Sequence, residues 1–263
     1  MKNSFMNKIS KLVPLFFILI GLGSVAFGQE SNQQSNKKPE KKYKNVIRYN
    51  LSGALLFGVN RYVVFGYERV VSPHQSFSIN MGPVGLPKFI SINTDSFALS
   101  KDVKNTGFNI SGDYRFYLPK ENKYDAPHGL YIGPYASYNH FHRETDWNYQ
   151  QSGSNQQVVN TSTDLGIVTF GGELGYQFVL WKRVALDLVL VGPGLSFYTL
   201  KAEIQNTLSD ANKKQLQQAL EQLLTQKFPG MNYVFSGKTF DANGTIRTGS
   251  IGYRYIVHIG FVF

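Results

Sequence analysis

Residues 251–263 form an alternating strand that stops on an aromatic residue. The odd positions are Ile251, Tyr253, Tyr255, Val257, Ile259, Phe261 and Phe263, while the even positions include Gly252, Arg254, His258 and Gly260. Successive side chains of a strand point to opposite faces. This strand therefore has one apolar, aromatic face and one face that is small or charged. In an exported chain, that pattern sets the apolar face against lipid and the other against the interior of a barrel.

The start of the chain supports export. Lys2, Lys8 and Lys11 form a basic region before an apolar stretch that begins at Leu12, and Ala26-Phe27-Gly28 is a small-x-small cleavage pattern. The apolar stretch is short for a spanning helix, so residues 1–28 read as a cleaved signal peptide. Residues 29–45 follow as a basic, disordered linker in which Lys37, Lys38, Lys41, Lys42 and Lys44 face only Glu30 and Glu40. The net charge of +10 falls to +7 once the three signal-peptide lysines are removed. Nucleic acid is a poor partner for an exported chain. With no cysteine, disulfides, thiolate metal sites and a lipid-anchored N-terminus are excluded.

Residues 46–263 read as the barrel. Charged residues are only 17% of the chain, against 16 Tyr and 20 Phe. Past the signal no apolar run is long enough for a spanning helix. Strands of a transmembrane barrel conceal their hydrophobicity by alternating it. Eight alternating segments can be counted: 46–58, 61–71, 75–82, 106–118, 129–142, 165–180, 183–199 and 251–263. The fifth alternates less clearly, with Tyr on both faces. In the seventh, Gly192-Pro193-Gly194 signals a bulge or bend, because proline removes a ladder donor. The fold expected is all-β: an eight-stranded, antiparallel, up-and-down transmembrane barrel.

Connections alternate in length. Residues 72–74 and 181–182 are tight turns; 83–105, 143–164 and 201–248 are long. Outer-membrane barrels have short periplasmic turns and longer external loops, which puts the long connections outside. The connection after the first segment is short and that of 119–128 is longish, two departures from the pattern. The last external loop holds an amphipathic helix candidate over 208–228. Thr207-x-x-Asp210 resembles a capping box, and Leu216, Ala219, Leu220, Leu223, Leu224 and Phe228 recur at helical spacing before Pro229-Gly230. Three roles compete for it: covering the barrel mouth, lying on the anionic outer leaflet, or binding a partner.

Parity places Arg48, Glu68, Asp113, Arg115, Glu173, Asp187 and Arg254 inside. Three basic and four acidic groups in a small barrel need partners or water, which suggests a salt-bridge network. Eight strands leave a lumen just wide enough for side chains. A plugged barrel and a narrow pore lined by the same charges are the two readings.

Tyr49-Asn50-Leu51, Gly66-Tyr67-Glu68, Gly129-Leu130-Tyr131-Ile132-Gly133-Pro134-Tyr135 and the terminal Phe263, in that order and spacing, resemble the small OmpA/OmpX-like outer-membrane β-barrels, and the likeness is closest to their uncharacterised short families. The resemblance covers about 46–263. It implies insertion by the outer-membrane assembly machinery, which reads the last strand, with Phe261 and Phe263 as the signal. It brings no catalytic residues, cofactor or metal. The reading expects a cell outer-membrane location, with outer-membrane lipids and lipopolysaccharide as surroundings. The role expected is structural or surface-interacting and non-enzymatic, its extracellular ligand unassigned. The alternative is a small pore for small solutes. A lipid-modifying enzyme comes third: His140 and His142 lie near Ser137, Glu144 and Asp146, and two histidines at i, i+2 share a strand face that could bind a metal.

Overall fold

A computed structural model describes residues 43–86, 97–149, 157–204, 234 and 244–263. Eight strands form a closed antiparallel barrel in which each strand pairs with the next and the last returns to the first. In chain order they are β1 (Asn45–Asn50), β2 (Phe65–Ser72), β3 (Gln75–Pro83), β4 (Phe97–Tyr117), β5 (Gly129–Tyr149), β6 (Gln157–Leu180), β7 (Val184–Ile204) and β8 (Thr245–Val262). One short helix, α1 (Leu51–Phe57), follows β1 directly. The barrel closes where Val46 pairs with Val262 and Asn50 with His258.

All eight strands fall where the alternation put them, but two expectations on their extent are corrected. The first predicted strand, 46–58, ends at Asn50. The Asn50 side chain accepts the Gly53 amide at 2.8 Å, an N-cap that starts a helix. Gly58 ends it at φ 100°, its N–H donating to Ala54 O at 2.9 Å, a conformation that glycine adopts without penalty. Alternation and helix propensity conflict here, and the caps decide for the helix.

The second correction concerns the long connections. Within the described residues, 97–105, 143–149, 157–164, 201–204 and 245–248 are strand, not loop. β4 to β7 run 21, 21, 24 and 21 residues, about twice the 9–11 needed to cross a bilayer. They project beyond the short β1, β2 and β3. The alternation there is polar on both faces, as at Arg143, Glu144 and Thr145 or Thr161, Ser162 and Thr163, so hydropathy does not reveal it. The expected bulge in β7 lies at Val189/Gly192, just before the proline. The candidate helix of 208–228, the signal peptide and the linker up to residue 42 lie outside the described residues.

The turns at the other end are short. Trp181 and Lys182 both take positive φ, 50° and 64°, the left-handed pair of a tight turn closed by the Arg183 N–H donating to Leu180 O at 3.0 Å. In the longer β4–β5 turn, the Asn122 side chain brackets Leu130, accepting its N–H at 2.7 Å and donating to its carbonyl at 2.8 Å.

Candidate functional site in the barrel interior

Inward parity continues from strand to strand, so charged residues far apart in sequence meet across the lumen. Arg48 of β1 reaches Asp187 of β7 at 2.9 Å, Asp113 of β4 at 3.4 Å and Ser78 of β3 at 2.6 Å. Arg115 of β4 donates to Asp113 at 2.6 Å, to Asp187 at 2.9 Å and to Gln177 of β6 at 2.8 Å. Bonds between non-neighbouring strands are possible only through the middle of the barrel.

Asp187 is the centre. Its carboxylate accepts from Arg48 and Arg115, from the Tyr131 hydroxyl at 2.7 Å, and lies 3.1 Å from His258 Nδ1. Glu68 sits to one side, accepting from Ser76 at 2.6 Å and from Tyr117 at 3.0 Å. Arg48, Glu68, Arg115 and Asp187 are each at most 1% exposed. Charges so buried persist only when opposite charges and hydrogen bonds surround them. The Arg115 guanidinium also lies over the Tyr131 ring, 4.3 Å from its centroid.

Glu173 and Arg254 form a separate pair further along the lumen, with the Arg254 guanidinium 3.6 Å above Tyr135. All seven charges singled out from parity thus face the interior, five in one network and two beside it. Gln177 and His258, inward by the same parity, complete the network together with Tyr117 and Tyr131. Beyond them, toward the projecting end, the interior turns apolar: Val64, Val84, Leu86, Phe141, Leu165, Leu200 and Ile246 pack with Val234.

The outer surface is banded. The cross-strand row Ile110–Tyr138–Val168–Phe197 is apolar. Four residues toward the projecting end, the row Thr106–His142–Asp164–Lys201 is polar and ionic. His142 presents Nδ1 to Asp164 at 2.8 Å and Nε2 to Glu144 at 3.1 Å; both nitrogens can donate only in the imidazolium. These contacts, Glu144 first and Asp164 second, raise the His142 pKa, and the same histidine lowers that of Glu144. Lys104 lies 3.7 Å from Glu144, and His140 lies 3.7 Å from Asp164. A raised folded pKa means stabilisation that is full below the ordinary histidine pKa and is lost as pH rises through the folded value. The urea midpoint of the protein should exceed that of His142→Gln at about pH 6, with the gap closing by about pH 9. A gap that widens with pH would contradict the ion pairing.

Ser137 has inward parity, whereas His140 and His142 face outward, so the serine and histidines weighed for ester chemistry stand on opposite faces of β5. Among the described residues no group of three His, Asp or Glu side chains is placed to hold a metal ion. Phe261 and Phe263 are exposed on the outer face at the short-turn end.

No family model matches the chain, and no curated protein matches it. Among the solved structures similar to it are two outer-membrane proteins. A major outer membrane protein from Thermus thermophilus has 7% identity and a TM-score of 0.33, covering 85% of this chain and 100% of its own. CarO from Acinetobacter baumannii has 10% identity and a TM-score of 0.35, covering 86% of this chain and 100% of its own. At scores this low neither protein lends its role to this one.

Proposed function

We propose that this chain is a non-enzymatic integral protein of a cell outer membrane: a transmembrane barrel with a closed lumen and a structural or surface-interaction role. The apolar band supports the membrane setting. On β8 its exposed side chains run from Ile251 to Phe261. Ten residues rise about 33 Å along a strand, or about 25 Å along the normal at a tilt near 40°, which is the height of an outer-membrane apolar belt. The ionic row beyond it suits the headgroup level of outer-membrane lipids and lipopolysaccharide. The projecting strands then stand outside, and Phe261 and Phe263 stand at the periplasmic end, where the assembly machinery would read them.

The observation that carries the closed lumen is the Arg48–Arg115–Asp187 crossing. Its side chains bridge opposite walls with almost no exposure, filling the interior that eight strands enclose. A planar bilayer tests this, using protein whose insertion is confirmed by a heat-modifiable band in the same vesicles. No steady single-channel steps are expected. Regular steps from the unaltered protein would instead favour the small-solute pore.

A further inference from the structure

The wall is asymmetric where the barrel closes. β8 pairs with β7 from Val184↔Phe261 up to Lys201↔Thr245, but with β1 only from Val262 to His258. Beyond His258, among the described residues, it is α1 that packs against its other edge, and Ser52 Oγ accepts the Val257 N–H at 3.1 Å. Outer-face exposure reports the change: Ile259 and Phe261, flanked by β1, are 45% and 49% exposed, whereas Ile251, Tyr253 and Tyr255 are 68%, 65% and 65%. An edge with unpaired backbone groups is costly at lipid depth.

The helix beside this edge carries a strand pattern. Continuing the register of Val46↔Val262 and Asn50↔His258 by one residue at a time sets Gly53 opposite Tyr255, Leu55 opposite Tyr253, Leu56 opposite Gly252 and Phe57 opposite Ile251. Leu55 and Phe57 would then join the apolar outer face, and Ser52 and Ala54 would face the lumen. In the helical form, Leu55 and Leu56 are 72% and 75% exposed. That form is held by the Asn50 cap and by Tyr62, whose ring lies over Gly53 and stacks on Phe57 at 5.4 Å.

We propose that residues 51–57 form a two-state seam in the barrel wall. As a helix they leave the edge of β8 beyond His258 without a strand partner among the described residues; as a strand they extend β1 along β8 and close it. The proposal rests on the register, so it holds in detergent as in a bilayer and stands apart from the membrane reading.

The chain has no cysteine, which makes disulfide trapping direct. Asn45 and Phe263 exchange both backbone bonds, so even-numbered pairs along β1 and β8 are the closer, non-hydrogen-bonded kind. Leu56→Cys with Gly252→Cys reports the strand form. A Cβ on Gly252 comes to 3.2 Å from Ser196 Oγ, a contact the hydroxyl relieves by rotating. Val46→Cys with Val262→Cys reports the permanent pairing and shows that the barrel has folded. Under mild oxidation the permanent pair should link fully and the seam pair only in part. Adding Gly53→Val should raise the seam link several-fold, because a Cβ there would overlap the Tyr62 ring and a β-branched residue favours a strand. The idea is overturned if the seam pair never links in either background while the permanent pair does. It is equally overturned if the seam pair links as fully and as fast as the permanent pair without Gly53→Val.

Discussion

Asp187→Leu should destabilise the folded barrel by about 3–5 kcal/mol, the cost of stranding buried partner charges. Arg48 and Arg115 both lean on this carboxylate, and each is at most 1% exposed. Their remaining acids, Asp113 and Glu68, are already shared between them. Tyr131 and His258 lose a partner as well. Arg254→Leu should cost less, since its side chain keeps 16% exposure and only one acid, Glu173, depends on it. Urea titrations of both variants in lipid vesicles, read by the heat-modifiable band, give the comparison. A change below about 1 kcal/mol for Asp187→Leu would mean that the crossing contributes little.

Leu174→Arg should cost about 2–4 kcal/mol, the range for a cation near the middle of the lipid face. Leu174 pairs with Ile132 on one side and Val191 on the other, within an apolar row. Thr106→Arg, in the ionic row beside His142, should cost about 0–1 kcal/mol, as near an interface. The contrast separates a lipid belt from a surface that merely happens to be apolar. In water both arginines would be tolerated alike. Equal, small costs in vesicles would therefore count against the membrane reading.

Parity made most of the interior legible. Asp113 and Arg115 alternate with Tyr114 and Phe116, so which face is the lumen follows from the strand itself, and His258 follows from its place between Val257 and Ile259. Tyr117 was less visible. The fourth alternating segment runs on to Leu118, and a tyrosine at its end suits either face. In β5 both faces carry tyrosine, and only pairing with Asp187 and Gly192 shows why Tyr131 and Tyr135 turn inward. Strand lengths were hidden for a different reason. Hydropathy alternates where one face meets lipid and the other does not. Past the belt the outer face is polar and stretches such as 143–145 and 161–163 are polar on both faces, so the ladder continues without that signal. The residues of α1 read as strand because their apolar spacing suits both forms. A single side-chain cap, Asn50 to Gly53, and the glycine that follows the helix decide the outcome.

The central claim, a barrel spanning a bilayer with its parity dividing lipid from lumen, is tested most directly along β6. Single cysteines carrying an environment-sensitive fluorophore would be placed at Phe170, Leu174 and Phe178, and in parallel at Thr169, Glu173 and Gln177, with the protein in vesicles containing brominated lipid. The even-numbered set should be strongly quenched by the bromines and the odd-numbered set spared. Equal quenching of both sets, or none in either, in samples whose barrel is folded would contradict it.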